Sequence, residues 1–361
     1  MCESGKLEEL LDLGHTPPAD NFLTKDDLQN PETSYPLKVL FCTECGLSQL
    51  SYVVSPDVLF SENYPYESST TRYFKNHFNG LAKTVAMRFS LGEGDLAVDV
   101  GSNVGVLLGG FKSQGLSTVG VEPVGPLAAK AEADGLTTIN AFLDGPVSRQ
   151  IVSSHGHAAV VTATNVFAHI DDLTTATRHI KDMLRQDGVF VIEVPYFLEL
   201  LNSLEYDTIY HEHLSYILVT PLRRFFARVG LEVFDVEDVP MHGVSLRVYV
   251  GFPGKHPVSE RVGQHLRQEA DEGTLKLDTL QEFSDRVQAH RWELSRHLFS
   301  LKTQGKRIAG ISAPAKGNTL LNYCNINSDI LDYLTERSPR KIGLFSPGKH
   351  IPVVDDDVLK N

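Results

Sequence analysis

Between Asp95 and Phe197 the apolar residues gather in short unbroken runs, and the stretches between them repeat apolar positions at helical spacing. "DLAVDVGSNVGVLLGGFKSQGLSTVGVEP" (Asp95 to Pro123) reads as a buried strand, a glycine turn, a helix and a second strand, which is a βαβ unit. Two further apolar runs, "HAAVVTATNVF" (His157 to Phe167) and "GVFVIEVPYF" (Gly188 to Phe197), are separated by "LTTATRHIKDMLRQDG" (Leu173 to Gly188), whose periodicity predicts a helix. Alternating strand and helix predicts a doubly wound, Rossmann-like α/β domain.

Upstream, "RYFKNHFNGLAKTVAMRF" (Arg72 to Phe89) predicts a connecting helix. Everything before it is turns and short strands. Downstream come the strands "LEVFDVEDV" and "VSLRVYVGF", a charged helix-prone run from about Val258 to Gln304, and a weaker strand-turn-helix in "KRIAGISAPAKGNTLLNYC" (Lys306 to Cys324). The pattern divides the chain into an N-terminal module (1–60), a central α/β domain (61–235) and a C-terminal α/β domain (236–361).

Composition supports this organisation. At 361 residues the chain exceeds one ordinary core, and 42% hydrophobic with 22% charged residues is a globular balance. No apolar run approaches the ~18 residues that span a bilayer, and no signal-peptide pattern opens the chain, so the expectation is a cytoplasmic protein without a membrane partner. A net charge of −13 with no basic cluster argues against nucleic acid. Nothing in the pattern bears on oligomeric state.

Four cysteines are too sparse for a disulfide scaffold. In "YPLKVLFCTECGLSQL" (Tyr35 to Leu50), a strand leads into a Cys42-x-x-Cys45 knuckle closed by Gly46 and a returning strand, which is half of a zinc ribbon. Cys2 brings the thiols to three, with His15 available as a fourth ligand; a metal-free knuckle packed as a small core is the alternative. Redox use is disfavoured, because no helix follows the pair to lower a thiol pKa.

The glycine turn "VDVGSNVG" presents Gly101, Ser102, Asn103 and Gly105 at a helix N-terminus, where backbone N–H groups suit an anionic or polar ligand. Glu122 ends the second strand 122 − 101 = 21 residues after Gly101, near the ~20-residue offset of a ribose-binding carboxylate. A dinucleotide loop needs glycine where this chain has Asn103, so backbone can approach a pyrophosphate. S-adenosylmethionine has no pyrophosphate, and the loop, the acid and the strand order together point to it. Phe142, in "NAF", is placed to flank the adenine, and Asn165, Val166 and His169, in "TNVFAHIDD", line the carboxyl edge of the sheet. Ordinary core packing is the alternative for Phe142 and Val166.

With these residues identified, the chain resembles the sugar C-methyltransferases that act on nucleotide-linked deoxy-sugars, similar to the TDP-4-keto-sugar carbon-three methyltransferases. "LDLGHTPPADNF", "FCTECGLSQL", "VDVGSNVG", "NVFAHIDDL", "EVPYF", "DTIYHEHLSY", "HGVSLRVYV" and "APAKGNTLLNY" carry the resemblance in that order over nearly the whole chain. It implies an N-terminal zinc module, a central S-adenosylmethionine domain and a C-terminal domain that helps hold the nucleotide-sugar. It also implies two Cys-x-x-Cys pairs: Cys42 and Cys45 match the second pair and Cys2 the last cysteine of the first, which puts the remaining ligand before Met1. The C-terminal domain is expected to continue beyond "HIPVVD", and Val104 stands where the loop commonly carries an acid.

Methyl transfer to carbon requires removal of a proton beside a ketone, so the enzyme needs a base poised near neutral pH and donors for the enolate oxygen. The resemblance assigns His213 as the base, Glu212 as a supporting acid/base or orienting carboxylate, Tyr210 as a donor near the enolate, and Tyr64, in "NYPYESS", as a tyrosine reaching the same place. His211 is left as supporting or structural. The competing readings of the cluster are a His-x-His metal pair and hydrogen-bonded core histidines; four consecutive polar groups at the edge of an apolar run make the second costly. "HGVSLR" (His242 to Arg247) and "APAKGN" (Ala313 to Asn318) offer His242, Arg247, Lys316 and Asn318 to hold a diphosphate and a base, with plain solvation the alternative for Lys316. An O- or N-methyltransferase sharing the central domain, and a non-catalytic protein that only binds nucleotide-sugar, are the other functional readings.

Overall fold

The computed structural model describes residues 1–61, 64–241 and 243–360. Among them the strands are β1 (Leu7–Thr16), β2 (Tyr35–Cys42), β3 (Ser48–Leu50), β4 (Leu96–Val100), β5 (Ser117–Val121), β6 (Thr138–Ile139), β7 (Ala158–Thr164), β8 (Leu184–Pro195), β9 (Ser215–Tyr216), β10 (Glu232–Val239), β11 (Ser245–Gly251), β12 (Ala309–Gly310), β13 (Tyr333–Glu336) and β14 (Val353–Asp355). Contacts divide the chain into two compact units. One holds Tyr66–Tyr196 and Ile217–Glu272 with Met1–Glu3; the other holds Ser4–Pro65, Phe197–Tyr216 and Gly273–Asn361.

The first unit is built on a seven-stranded sheet in the order β10-β11-β8-β7-β4-β5-β6. Strands β8, β7, β4, β5 and β6 are parallel, with Val98 opposite both Val119 and Val161, while β11 runs antiparallel to β8 and to β10. Every residue of β4 is buried, as a strand covered on both faces must be. Helix Arg72–Arg88 lays Phe78, Leu81, Ala82 and Val85 into one core with Phe111, Val160, Val189, Val191 and Tyr249. Side-chain caps begin three helices: Thr71 Oγ1 accepts from Phe74 N at 3.2 Å, Asp144 Oδ1 from Val147 N at 2.8 Å and Asp172 Oδ1 from Thr175 N at 2.9 Å.

This sheet is the predicted doubly wound domain, with two differences. The helix expected to run to Gly188 stops at Met183, because β8 begins at Leu184, pairing with Ala158 ahead of an irregularity in the β7–β8 register. The strands "LEVFDVEDV" and "VSLRVYVGF" belong to this sheet as β10 and β11, although a boundary at 235 would assign most of them to the C-terminal domain. Arg247 pairs with Glu193, and the ladder carries β11 onto the edge of β8.

The second unit contains two small sheets. One is antiparallel, in the order β1-β2-β3-β9; the other is parallel, β12-β13-β14. Strands from both ends of the chain, β1–β3 and β12–β14, thus fall in this one unit. Hydrogen bonding of β9 to β3 ties the segment containing "DTIYHEHLSY" to the N-terminal strands, and Leu23 bridges Phe345.

Candidate functional site

In the first unit the chain order of the strands reverses between β4 and β7, so the carboxyl ends of these strands form the crevice where doubly wound sheets bind ligands. The loop after β4 shows why its residues are what they are. Gly101, Asn103 and Gly105 take left-handed φ values of +69°, +52° and +77°, which favour glycine and asparagine. A Cβ on Gly101 would lie 2.4 Å from Val166 Cγ2, so Val166 packs on the bare glycine and closes the loop against the end of β7.

Asn103 organises its surroundings. Its Oδ1 accepts from Ser68 N at 3.0 Å, Ser68 Oγ at 3.2 Å and Val104 N at 2.9 Å, and its Nδ2 donates to Tyr66 O at 3.3 Å. Ser68 and Tyr66 join the site without a signal in the sequence pattern.

Glu122 stands at the end of β5, 4% exposed, its Oε2 accepting from Asn103 N and its Oε1 from Val124 N, both at 2.8 Å. Each carboxylate oxygen has capacity for a second donor, as two ribose hydroxyls require. Burial raises its pKa and the two N–H groups pull it back. Asn140 Nδ2 fixes the turn by donating to Glu122 O at 2.8 Å and Pro123 O at 3.0 Å. Ser102 Oγ is buried without a hydrogen-bond partner, and Phe142 leaves 44% of its surface exposed. An adenosine-containing ligand with a polar amino-acid end fits this donor and acceptor set.

Asn165 is also left-handed (φ +55°), and its N–H donates to Glu193 O at 2.7 Å. Burial pushes His169 down to about 4, so it is neutral at physiological pH. On β4, Asp99 Oδ1 accepts from Thr162 Oγ1 at 2.6 Å, and burial raises its pKa to about 7. Arg247, expected on the substrate side, is paired with carboxylates. Its Nε donates to Glu193 Oε2 at 3.1 Å and its Nη1 to Glu237 Oε2 at 3.4 Å, and two carboxylates already meet its charge inside the β8–β11–β10 region.

In the second unit, residues 210–213 form a tight turn in which His213 N donates to Tyr210 O at 2.9 Å. The turn brings the Tyr210 and His213 rings together, tilted by 36° with centroids 4.0 Å apart. His213 Nδ1 lies 2.7 Å from Thr208 O; a carbonyl only accepts, so Nδ1 carries the proton and Nε2 keeps the basic lone pair. The His213 side chain is nearly buried at 9% exposure.

Tyr64 OH donates to Glu212 Oε2 at 3.0 Å, which brings two sequence-predicted residues 148 positions apart into contact. Burial first, then the negative charge of Asp20, pushes Glu212 up to about 8, against the Tyr64 hydrogen bond and the Lys341 charge. Tyr64 itself is raised by burial and by Glu212, and remains a neutral donor. His211 is 1% exposed and meets the Tyr35 ring edge-on, with centroids 5.9 Å apart, and burial lowers its pKa.

The expected substrate residues fare unevenly. His242 lies outside the described residues. Lys316 is half-buried in the first turn of helix Ala315–Tyr323, 3.9 Å from Glu205 Oε2. Asn318, 1% exposed, donates from Nδ2 to Ala19 O at 2.7 Å, anchoring the stretch that carries Asp20. Asp20 and Lys341, absent from the sequence reading, hold each other at 3.1 Å.

The thiols of Cys2, Cys42 and Cys45 converge, their sulfurs all within 4.8 Å of one another. Thiolates at roughly 2.3 Å from one tetrahedral zinc lie roughly 3.8 Å apart, so the set fits that ion. His15 is not part of it. Antiparallel pairing puts Leu7 opposite Cys42 and His15 opposite Pro36, six residues up β2, or about 20 Å at ~3.3 Å per residue.

Three family models match the chain: a zinc binding domain over 1–60, a methyltransferase domain over 73–236 and a C-methyltransferase C-terminal domain over 240–361. The C-methyltransferase NovU of Streptomyces niveus is 35% identical over 354 residues, covering 98% of this chain and 84% of its own. Among solved structures, an S-adenosylmethionine-dependent methyltransferase of Clostridium acetobutylicum aligns with TM-score 0.40 at 16% identity, over 52% of this chain and 94% of its own. Magnesium protoporphyrin IX methyltransferase of Synechocystis, with S-adenosylhomocysteine bound, aligns at 0.40 and 10% identity over 52% and 90%. Among the described residues no helix is long and apolar enough to cross a membrane.

Proposed function

The chain belongs to the S-adenosylmethionine-dependent C-methyltransferases, with an N-terminal zinc-binding module, and we propose that its acceptor is a nucleotide-linked keto-deoxysugar, a TDP-sugar foremost. The carbon beside the ketone is methylated after enolisation. The observation that carries this reading is the tautomer of His213: the 2.7 Å contact of Nδ1 with Thr208 O reserves Nε2 as a base.

In the proposed reaction His213 Nε2 takes the proton from the carbon beside the ketone, and the C–H electrons pass into an enolate. Tyr210, packed at a tilt against the imidazole, and Glu212, hydrogen-bonded to Tyr64, are the donors for the enolate oxygen. S-adenosylmethionine, when bound, supplies an electrophilic methyl whose bond electrons return to sulfur as the new carbon–carbon bond forms. Gly101, Ser102, Asn103 and Gly105 cradle its amino-acid end, Glu122 takes the ribose hydroxyls, Phe142 flanks the adenine, and Asn165, Val166 and His169 border the methyl-transfer region. On the substrate side, Lys316 exchanges its long pairing with Glu205 for a diphosphate oxygen. Cysteine thiolates held as metal ligands suit a reducing compartment, which supports a cytoplasmic reaction.

The test is deuterium exchange at the sugar carbon beside the ketone, with and without S-adenosylhomocysteine. Wild type should exchange that proton and His213→Asn should not. Equal exchange in both would remove His213 as the base.

A further inference from the structure

Two carboxylates and one cation interact beside the 210–213 turn, where the charges of Asp20 and Lys341 both reach Glu212. Glu212 comes from the turn itself, Asp20 from the stretch after β1, and Lys341 from the turn between β13 and β14. Lys341 Nζ is 3.1 Å from Asp20 Oδ1 and donates to Ala313 O at 3.0 Å; it also lies 4.6 Å from the centre of the Phe22 ring. The Lys341 and Asp20 side chains are only 12% and 13% exposed, and Glu212 is 4% exposed. Tyr64 is the third titratable group facing Glu212, and its own backbone carbonyl accepts from Arg340 Nη1 at 3.1 Å. Tyr210 and His213 lie on the same turn as Glu212.

Charge counting in this confined space is decisive. With both carboxylates ionised the set carries one uncompensated buried negative charge; with one proton held between them it is neutral. Lys341 is committed to Asp20 by contact, so the proton falls to Glu212. Because the Tyr64 hydroxyl donates to Oε2, the Glu212 proton resides on Oε1.

We propose that the Asp20–Lys341 pair is a positioning device that keeps Glu212 un-ionised, so that Glu212 Oε1–H acts as a neutral-acid donor to the substrate's oxygen. This rests on the enolisation reading for its use in the reaction, but the protonation of Glu212 is independent of any substrate. The raised position of Glu212, to about 8, agrees with it. Neither Asp20 nor Lys341 needs to touch the substrate.

The experiment reads the Glu212 carboxyl carbon by NMR against pH, in protein labelled at the glutamate carboxyl, with the resonance assigned by its loss in Glu212→Gln. Asp20→Asn removes a negative charge and leaves Lys341 facing Glu212, so the titration should move down by about one unit or more, the size of a near-neighbour charge effect. Lys341→Met should move it up by a similar amount, Lys341→Arg should restore it, and the Asp20→Asn/Lys341→Met double variant should return it toward wild type. A titration that stays put in both single variants, or one that ends in the ordinary carboxylate range in wild type, overturns the proposal. The same variants read by the pH dependence of kcat should shift the alkaline limb in these directions with KM little changed. Moved NMR titrations with no enolisation of any keto-sugar would sink the substrate reading and leave the Asp20–Lys341 assignment standing.

Discussion

Gly101→Ala tests the construction of the cofactor loop. Two costs fall on the added methyl. At φ +69° an L-residue pays roughly 1–2 kcal/mol for left-handed backbone. The Cβ also arrives 2.4 Å from Val166 Cγ2, 3.1 Å from Cγ1 and 3.3 Å from Cβ. Valine is stiff about χ1 and cannot swing one methyl away without moving the other, so an overpacking cost of ~1–3 kcal/mol is expected. The sum, roughly 2–5 kcal/mol, is a large share of the ~5–15 kcal/mol by which a domain is stable. Urea denaturation of Gly101→Ala, Val166→Ala and the double variant separates the terms. The steric part should appear as a favourable coupling of ~1–3 kcal/mol in the double variant, while the backbone part persists. Calorimetry with S-adenosylhomocysteine should show weakened binding in Gly101→Ala. Stability within about 0.5 kcal/mol of wild type, or additive single effects, would refute the close packing of Val166 on Gly101.

Other outcomes follow from the same geometry. Asp99 is raised to about 7 against ~3.9 in an unfolded chain, so its contribution to stability is full below about pH 4 and is lost as the pH rises to about 7. Three units at ~1.4 kcal/mol each set a ceiling of roughly 4 kcal/mol, and Asp99→Asn should flatten the difference between urea midpoints at pH 5 and pH 8; an unchanged difference would exclude Asp99 as its source. Glu122→Gln turns an amide NH₂ toward one of two backbone N–H donors that now meet a carboxylate oxygen. The unsatisfied group is present with or without ligand, so it should lower stability by ~1–3 kcal/mol in urea denaturation; stability equal to wild type would exclude these two hydrogen bonds to the carboxylate. Purified protein should carry about one zinc per chain by elemental analysis; Cys42→Ser should lose it and melt at lower temperature, and retention of the metal would place it elsewhere.

The parallel sheet and the glycine loop after β4 were legible because their causes are local. Unbroken apolar runs such as Leu96–Val100 mark strands buried on both faces, and glycine at 101 and 105 marks backbone that other residues enter at a cost. The spacing of Glu122 follows from the length of one βα unit. Likewise the knuckle at Cys42 and Cys45 lies on one turn, and it was found on one turn.

What the sequence by itself determined, then, is the class of fold, the glycine loop after β4 with the acid that ends β5, and the consecutive cluster of Tyr210, Glu212 and His213, because each rests on neighbours within a few residues or one repeating unit. Only the tertiary structure decided which groups those side chains meet. The exclusion of His15 from the thiol cluster follows from antiparallel register between β1 and β2. The neutralisation of Arg247 follows from β11 lying against β8. Asp20 and Lys341 are 321 residues apart, and a Coulomb interaction depends on distance in space and on the loss of water around both charges. Neither quantity is written along the chain, so the protonation of Glu212 became readable only once the chain had folded.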